Sequence, residues 1–501
     1  MSFFSSSRET GVPIAIRVLF LSLLGIAAYC SDGVLHPDEY QQVLEFFFYK
    51  KGVQQDICLP WEFQDQIRSW LQPLFYWVVS LPFRGLIMTP LGWTRFFRFL
   101  MGMMGGWGFL FLSRHYLSRW KEERSERGLK KVYLTSLFFC LLPLYLVRTS
   151  SENFAGIFLL FLIGMVFRNG KMAAISPVAW GIYGILCGFG FLARYQSGIW
   201  IVGFFLWSLF LHGQNISWVK KAGYFSISFC GVMLIGICLD RIGYGNWGCA
   251  PWGYFVANIL QDKAAQWGTS PFWGYIRLFM DTAAPFGGMV FFGALAFFFI
   301  FPGHVLTWVL LPYVVVHSAI PHKELRFLLP LFYFFPLMGV ELYRKWAGIC
   351  QRGIVSHFVH VALVLLLIWN GVKFFQYVSR PVQRHFYVLE ALQPYLQKGP
   401  VLLLADESDV FTWPAMPSLD ANLRWQIQKK GDSLPIHVEF FWFRNQNTEN
   451  TQRMNGEVPR KNCEFLADRY SRFPDWLRHS WVFSLLVRTD VNGTVYHCMP
   501  M

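Results

Sequence analysis

The chain has 501 residues, 54% hydrophobic and 15% charged, with a formal charge of +14. Soluble domains carry about 25% charged residues, and 52 Phe with 22 Trp make more apolar surface than a soluble core needs, so an ordinary soluble enzyme is excluded. The basic residues sit mostly in short runs beside apolar stretches, which orients membrane spans and meets anionic headgroups; no nucleic-acid partner is expected.

In chain order, apolar stretches of about the 20 residues a bilayer requires fall at 13–31, 94–113, 132–148, 152–168, 175–193, 197–213, 222–239, 285–301, 304–320, 326–343 and 357–377. The first lacks an A-x-A-like cleavage site and reads as a retained anchor. A twelfth stretch, 71–90, is interrupted by Pro73, Pro82, Arg84 and Pro90. Segment 114–131 carries Arg114, Arg119, Lys121, Arg124, Arg127, Lys130 and Lys131 and should be cytosolic. With 71–90 interfacial or re-entrant, Arg168 and Lys171, Lys220 and Lys221, and Arg344, Lys345 and Arg352 all fall on the same side.

The expected fold class is therefore an all-α polytopic membrane protein of about 11 transmembrane helices over 1–377. A small mixed α/β extracytosolic domain over 378–501 follows, with alternating stretches at 401–405 and 481–487. The expected outer loops are 32–93, 240–284 and 321–325. Cys463 and Cys498 could pair in an oxidising compartment, whereas Cys140, Cys187, Cys230 and Cys238 read as packing residues. Asn492-Gly-Thr is a glycosylation sequon on the expected outer side.

The chemistry-capable residues collect in those loops. The first contains His36-Pro37-Asp38-Glu39-Tyr40. Pro37 can open a helix, placing Asp38 and Glu39 in its first turn, where the helix dipole favours anions. A carboxylate held there suits a general base, or simply caps the segment. His322-Lys323-Glu324-Leu325-Arg326 sets three potential cations and a carboxylate between two apolar stretches. His322, Lys323 and Arg326 could hold a phosphate, or anchor the chain at the interface.

Arg68, beside Trp70, and Arg194, beside Tyr195, each suit a lipid phosphate or an aromatic belt. The 240–284 loop opens Asp240-Arg241-Ile242-Gly243-Tyr244-Gly245-Asn246-Trp247. Its aromatic, amide and glycine density suits carbohydrate, or interfacial packing. Nucleotide-binding, metalloprotease and D-x-D motifs are all missing, so an outward-facing enzyme would need a donor delivered by the membrane.

Taken together, four motifs resemble the family 22 glycosyltransferases, polytopic mannosyltransferases of the GT-C fold that use dolichyl-phosphate-mannose. The motifs are His36-Pro37-Asp38-Glu39, Arg68-Ser69 with a following aromatic, Asp240-Arg241 with Tyr244-Gly245-x-Trp247, and His322-Lys323-Glu324-x-Arg326-Phe327. The resemblance runs over roughly 13–345. Within the family, the run from Asp240 through Tyr254-Phe255, Asn258 and Ser270-Pro271 is most similar to the branch adding the third mannose of the glycosylphosphatidylinositol anchor. Gly243 stands where that branch usually has an aromatic.

The resemblance implies an inverting transfer of mannose from a polyprenyl (dolichyl) phosphate to a glycolipid acceptor. Asp38 would be the base and Glu39 its helper in positioning the acceptor. His36, Arg68, Arg194, Asp240, Arg241, Tyr244, Trp247, His322, Lys323, Glu324 and Arg326 would bind substrate, with no metal or other cofactor. An endoplasmic reticulum membrane with a lumenal site is implied; a bacterial inner membrane with a periplasmic site is the alternative. Other acceptors stay open, among them an N-glycan precursor or a bacterial lipid-linked glycan. A membrane transporter is the rival class, predicting paired halves and charges near the bilayer midplane.

Overall fold

Prolines and side-chain caps cut the apolar sequence into helices of unequal length. Ser150 and Ser176 accept hydrogen bonds from the backbone N–H groups of Asn153 and Ala179, opening helices Ser151–Asn169 and Pro177–Ala193. His304 does the same for helix Val305–Ala319 through the Leu306 N–H. The computed structural model describes residues 12–31, 33, 36–52, 59–87, 89–120, 132–134, 141–170, 175–212, 217–261, 263, 266, 268–282, 287–346, 353–379, 385–405, 423–427, 439–444, 463–468, 475–478, 480 and 494–499.

The expected count of eleven crossings is not reached by helix length. Four described helices are long and apolar enough to cross a membrane: Pro90–Leu117, Ser151–Asn169, Trp218–Tyr244 and Ser356–Val378. A fifth results if Leu325–Phe332 and Phe335–Lys345, bent by 55°, form one span. The stretches at 13–31, 175–193, 197–213, 285–301 and 304–320 coincide with apolar helices of 10–17 residues. At 1.5 Å per residue these fall short of the roughly 30 Å hydrocarbon layer unless neighbouring turns extend them. Part of 132–148 lies outside the described residues. Segment 71–90 forms ten residues of α-helix and three of 3-10 helix before breaking, too short for a full crossing.

The chain divides into two units. The first comprises Met1–Gly25, Trp61–Phe75 and Leu100–Asn370. Its interior is aromatic, with Trp70, Trp180 and Trp200 fully buried. Helix Gly198–His212 packs against Val305–Ala319, and a Cβ at Gly203 would collide with the Trp308 carbonyl. Only glycine allows that backbone approach, as in membrane helix pairs generally.

The second unit comprises Ile26–Pro60, Tyr76–Phe99 and Gly371–Met501. Its helical part is built on Phe46, Phe47, Phe48, Trp93 and Phe97, all buried. Its five-stranded sheet has the order β2-β1-β3-β5-β4, from β1 (Val401–Ala405), β2 (Leu423–Ile427), β3 (Phe440–Arg444), β4 (Cys463–Asp468) and β5 (Thr494–Cys498). Strand β1 runs parallel to β2 and β3, while β5 runs antiparallel to β3 and β4. Cys463 and Cys498 face each other across β4 and β5 and form a disulfide. The expected stretch at 481–487 and the Asn492 sequon lie outside the described residues.

Candidate active site

Opposite helix ends bring complementary charges together in the first unit. Glu152 lies in the first turn of helix Ser151–Asn169, where the dipole favours an anion. Arg194 follows the last residue of helix Pro177–Ala193, where it favours a cation. The Arg194 guanidinium lies 3.1 Å from the Glu152 carboxylate and 3.3 Å from Ser151 Oγ. A second guanidinium, from Arg326, reaches the same carboxylate at 3.4 Å. Glu152 is 1% exposed, so both pairs are shielded from water.

The 321–326 loop completes this cluster. Arg326 Nε donates to Glu324 Oε2, and Glu324 Oε1 lies 2.6 Å from His322 Nε2. The Phe327 ring forms a hub beneath the cations. Arg194 sits over it at 5.5 Å and Arg326 at 5.0 Å, and the His322 ring lies 6.0 Å away. Two arginines thus face two carboxylates. The two guanidinium groups are balanced by the two carboxylates, and His322 and Lys323 stand in the same loop.

Lys323 has a more local task than phosphate binding alone. Its Nζ donates to the carbonyls of Ser270 and Ile320, both at 2.8 Å. Ser270 N–H donates to Pro321 O at 2.8 Å, and His322 Nδ1 lies 3.2 Å from Gly268 O. These bonds hold the 268–274 segment to the 320–323 turn. Burial lowers the Lys323 ammonium from its ordinary range. Burial first, and the Glu324 charge second, raise the Tyr275 phenol, which stays neutral.

A second cluster adjoins the first. Arg68 pairs with Glu62 at 2.7 Å and lies over the Tyr254 ring at 5.2 Å. Tyr254 in turn stacks edge-on with Tyr195 at 5.4 Å and accepts from Gln196 Nε2 at 2.7 Å, so the contacts run on to Arg194. Asp240 accepts the Trp70 N–H at 2.8 Å, and Tyr244 donates to the Arg68 carbonyl at 2.7 Å. These bonds clamp the 61–70 loop on the end of helix Ser217–Tyr244.

Position 243 has no room for a side chain. A Cβ there would enter the indole ring of Trp70, which is fully buried and whose backbone N–H is tethered to Asp240. Gly→Ala normally stabilises a helix interior by about 1 kcal/mol. Here overpacking of about 1–3 kcal/mol opposes that gain, so Gly243→Ala should lower the unfolding temperature in detergent. Gly223→Ala, in the same helix with nothing within 4 Å of the new Cβ, should raise it. Equal shifts in both variants would contradict this packing.

Of the expected site residues, Arg68, Arg194, Asp240, Tyr244, His322, Lys323, Glu324 and Arg326 are brought into these adjoining clusters. Arg241 and Trp247 form a separate exposed pair, with the guanidinium 5.8 Å from the ring. His36, Asp38 and Glu39 belong to the second unit. There the chain turns into a helix at Pro37, whose carbonyl accepts from the Tyr40 and Gln41 N–H groups. His36 Nδ1 accepts the Asp38 N–H at 3.3 Å and lies 3.3 Å from its carboxylate. Asp38 is partly exposed, whereas Glu39 is buried. Glu152 and Glu62 escaped sequence reasoning. The available signal was a carboxylate at the very start of an apolar stretch, directly after Ser150-Ser151.

Residues 16–401 match the Alg9-like mannosyltransferase family. The chain is 24% identical to GPI mannosyltransferase 4 of Candida albicans over 335 residues, 60% of this chain and 63% of that one. It is 31% identical to GPI mannosyltransferase 3 of Aspergillus fumigatus over 132 residues, 23% of this chain and 17% of that one. It is 32% identical to a probable Dol-P-Man:Man(7)GlcNAc(2)-PP-Dol alpha-1,6-mannosyltransferase of Schizosaccharomyces pombe over 95 residues, 18% of this chain and 16% of that one. The matches therefore span less than two thirds of each relative's length. Among solved structures, ArnT from Cupriavidus metallidurans bound to undecaprenyl phosphate superposes with a TM-score of 0.52 at 11% identity, covering 97% of this chain and 99% of that one. The two proteins share a fold.

Proposed function

Because the chain belongs to the Alg9-like mannosyltransferase family, we propose that it transfers mannose, with inversion, from a polyprenyl (dolichyl) phosphate to a glycolipid acceptor. The observation that carries this reading is the set Glu152, Arg194, Glu324, Arg326 and His322, buried at Glu152 and Arg194 and half-buried at the other three, whose guanidinium groups are fixed by carboxylates before substrate arrives. Donors held in place in a dry site stabilise developing charge without reorganising when it appears. The charge in question is that of the leaving lipid phosphate.

Asp38 is the base in this scheme. It takes the proton from an acceptor hydroxyl while that oxygen attacks the anomeric carbon. The bond from that carbon to the phosphate oxygen breaks, and its electron pair leaves with the lipid phosphate. Arg194, Arg326 and His322 receive the growing negative charge, with Arg68 and Lys323 nearby. Glu39 and His36 support Asp38. Asp240 and Tyr244 hold the 61–70 loop that carries Arg68, and Arg241 and Trp247 offer a cation and an indole to the glycolipid.

The acceptor in this reading is a glycosylphosphatidylinositol precursor, in keeping with the names of two relatives. The site faces the endoplasmic reticulum lumen, and 378–501 forms a lumenal domain. The Cys463–Cys498 disulfide suits that oxidising compartment. A second reading, supported by the Schizosaccharomyces pombe relative, is mannosylation of an N-glycan precursor. Mass spectrometry of glycolipids from cells lacking the chain separates the two. Accumulation of a glycosylphosphatidylinositol precursor carrying two mannoses is expected. Accumulation of a truncated diphosphate-linked N-glycan precursor instead would transfer the assignment to the second reading.

A further inference from the structure

One buried ring near the cluster has no part in the scheme above. His317 lies in the last turn of helix Val305–Ala319 and is 1% exposed. Its Nδ1 is 2.8 Å from the Tyr313 carbonyl oxygen. A carbonyl oxygen can only accept, so Nδ1 carries the ring proton. Burial favours the neutral ring, in which Nε2 is then an acceptor, and it is buried with no hydrogen-bond partner among the described residues. A buried polar atom left unmet is costly enough to call for a specific cause.

The surroundings indicate what meets it. The His317 ring packs on Tyr313 at 4.2 Å, which fixes its orientation. It lies 6.0 Å from the Phe327 ring, the same ring that carries Arg194, Arg326 and His322. A neutral ring nitrogen that accepts cannot bind an ionised phosphate oxygen, which also only accepts. It requires an O–H or N–H group. The group that a sugar phosphate would bring, were its phosphate held by the arginines as proposed above, is a hydroxyl of the sugar itself.

We propose that His317 Nε2 accepts a hydrogen bond from one hydroxyl of the transferred hexose, making His317 a specificity-determining residue for the donor sugar. This rests on the glycosyltransferase reading above. A site built to pair with a hydroxyl discriminates strongly against the sugar lacking it, because the protein atom is then left unmet.

The test uses the purified full chain in proteoliposomes with a glycolipid acceptor. The donors are polyprenyl-phosphate-mannose and its monodeoxy analogues, one for each sugar hydroxyl. Wild type should lose about tenfold or more in kcat/KM with one particular analogue. His317→Phe, which keeps the ring, should lose a similar factor with the parent donor, be indifferent to that one deletion, and keep wild-type discrimination at the other hydroxyls. His317→Gln, which returns an amide near the Nε2 position, should restore part of the lost discrimination.

Wild-type behaviour of His317→Phe on every donor would overturn the inference, leaving Nε2 to an ordered water. So would a uniform loss with the discrimination pattern unchanged, which marks a structural role. Either result leaves the glycosyltransferase reading standing. Absence of transfer by the wild type from any polyprenyl-phosphate sugar removes both.

Discussion

Asp38→Asn should abolish mannosyl transfer while leaving the protein folded and inserted in the membrane. The substitution keeps the shape of the side chain and removes its ability to take a proton. A positioned general base contributes about 10²- to 10⁴-fold to rate, so turnover should fall by at least that range's lower bound. Folding should be spared for local reasons. The backbone bonds that shape this turn run from the Glu39, Tyr40 and Gln41 N–H groups to His36 O and Pro37 O, and none needs the Asp38 carboxylate. The side chain is partly exposed, so the amide remains solvated. The measurement is turnover per inserted molecule, with insertion read by membrane extraction and thermal unfolding. Near-normal turnover would remove Asp38 as base.

Glu152→Gln should be the most destabilising conservative substitution in the first unit. It removes the charge that pairs with both Arg194 and Arg326. Exposed ion pairs contribute at most about 1 kcal/mol, but breaking a buried pair costs about 3–5 kcal/mol, since a cation is left uncompensated. Glu324→Gln should cost less, because Glu324 is the more exposed carboxylate and Glu152 still faces Arg326. Thermal unfolding in detergent checks the order. A second comparison separates stability from function. Glu152→Leu combined with Arg194→Met should recover stability relative to Glu152→Leu, since an apolar pair replaces a buried ionic one at little cost. It should not recover transfer. Unaltered stability in Glu152→Gln would show that the cluster is not held by this carboxylate.

Much of the site was legible because its residues stand out where they sit. Charges in the 321–326 loop interrupt an apolar sequence, and Arg68, Asp240 and Tyr244 come with distinctive aromatic neighbours. Their partners were harder to see. Glu152 reaches Arg326 across 174 positions, a pairing that nothing in local spacing reveals. Apolar periodicity marks where a helix runs but not which polar residue at its end turns inward. Hence a carboxylate at the edge of a predicted span read as ordinary. The role of Lys323 shifted for a similar reason: its backbone acceptors, Ser270 and Ile320, carry no side-chain signal.

The fold divides in the same way. The short apolar run at 401–405 forms a strand, and Cys463 and Cys498 were an open pairing that the sheet closes by setting them opposite one another. The strand order β2-β1-β3-β5-β4 depends on long-range parallel pairing, which alternation does not encode. Span counting was least successful. Hydropathy scores a stretch by composition, whereas Pro177 and the His304 cap decide where helices start and the turn at Tyr195–Ser197 separates two of them. The need for glycine at 243 is understood only once Trp70 is seen against its backbone.

The most direct test of the account incubates the purified chain in proteoliposomes with radiolabelled polyprenyl-phosphate-mannose and a glycosylphosphatidylinositol precursor bearing two mannoses. A product carrying one added mannose is expected, with the anomeric configuration opposite to the donor's, and no product when a nucleotide-linked mannose replaces the lipid donor. Transfer with retained configuration, equal transfer from the nucleotide donor, or no transfer from the lipid donor to any glycolipid acceptor would contradict it.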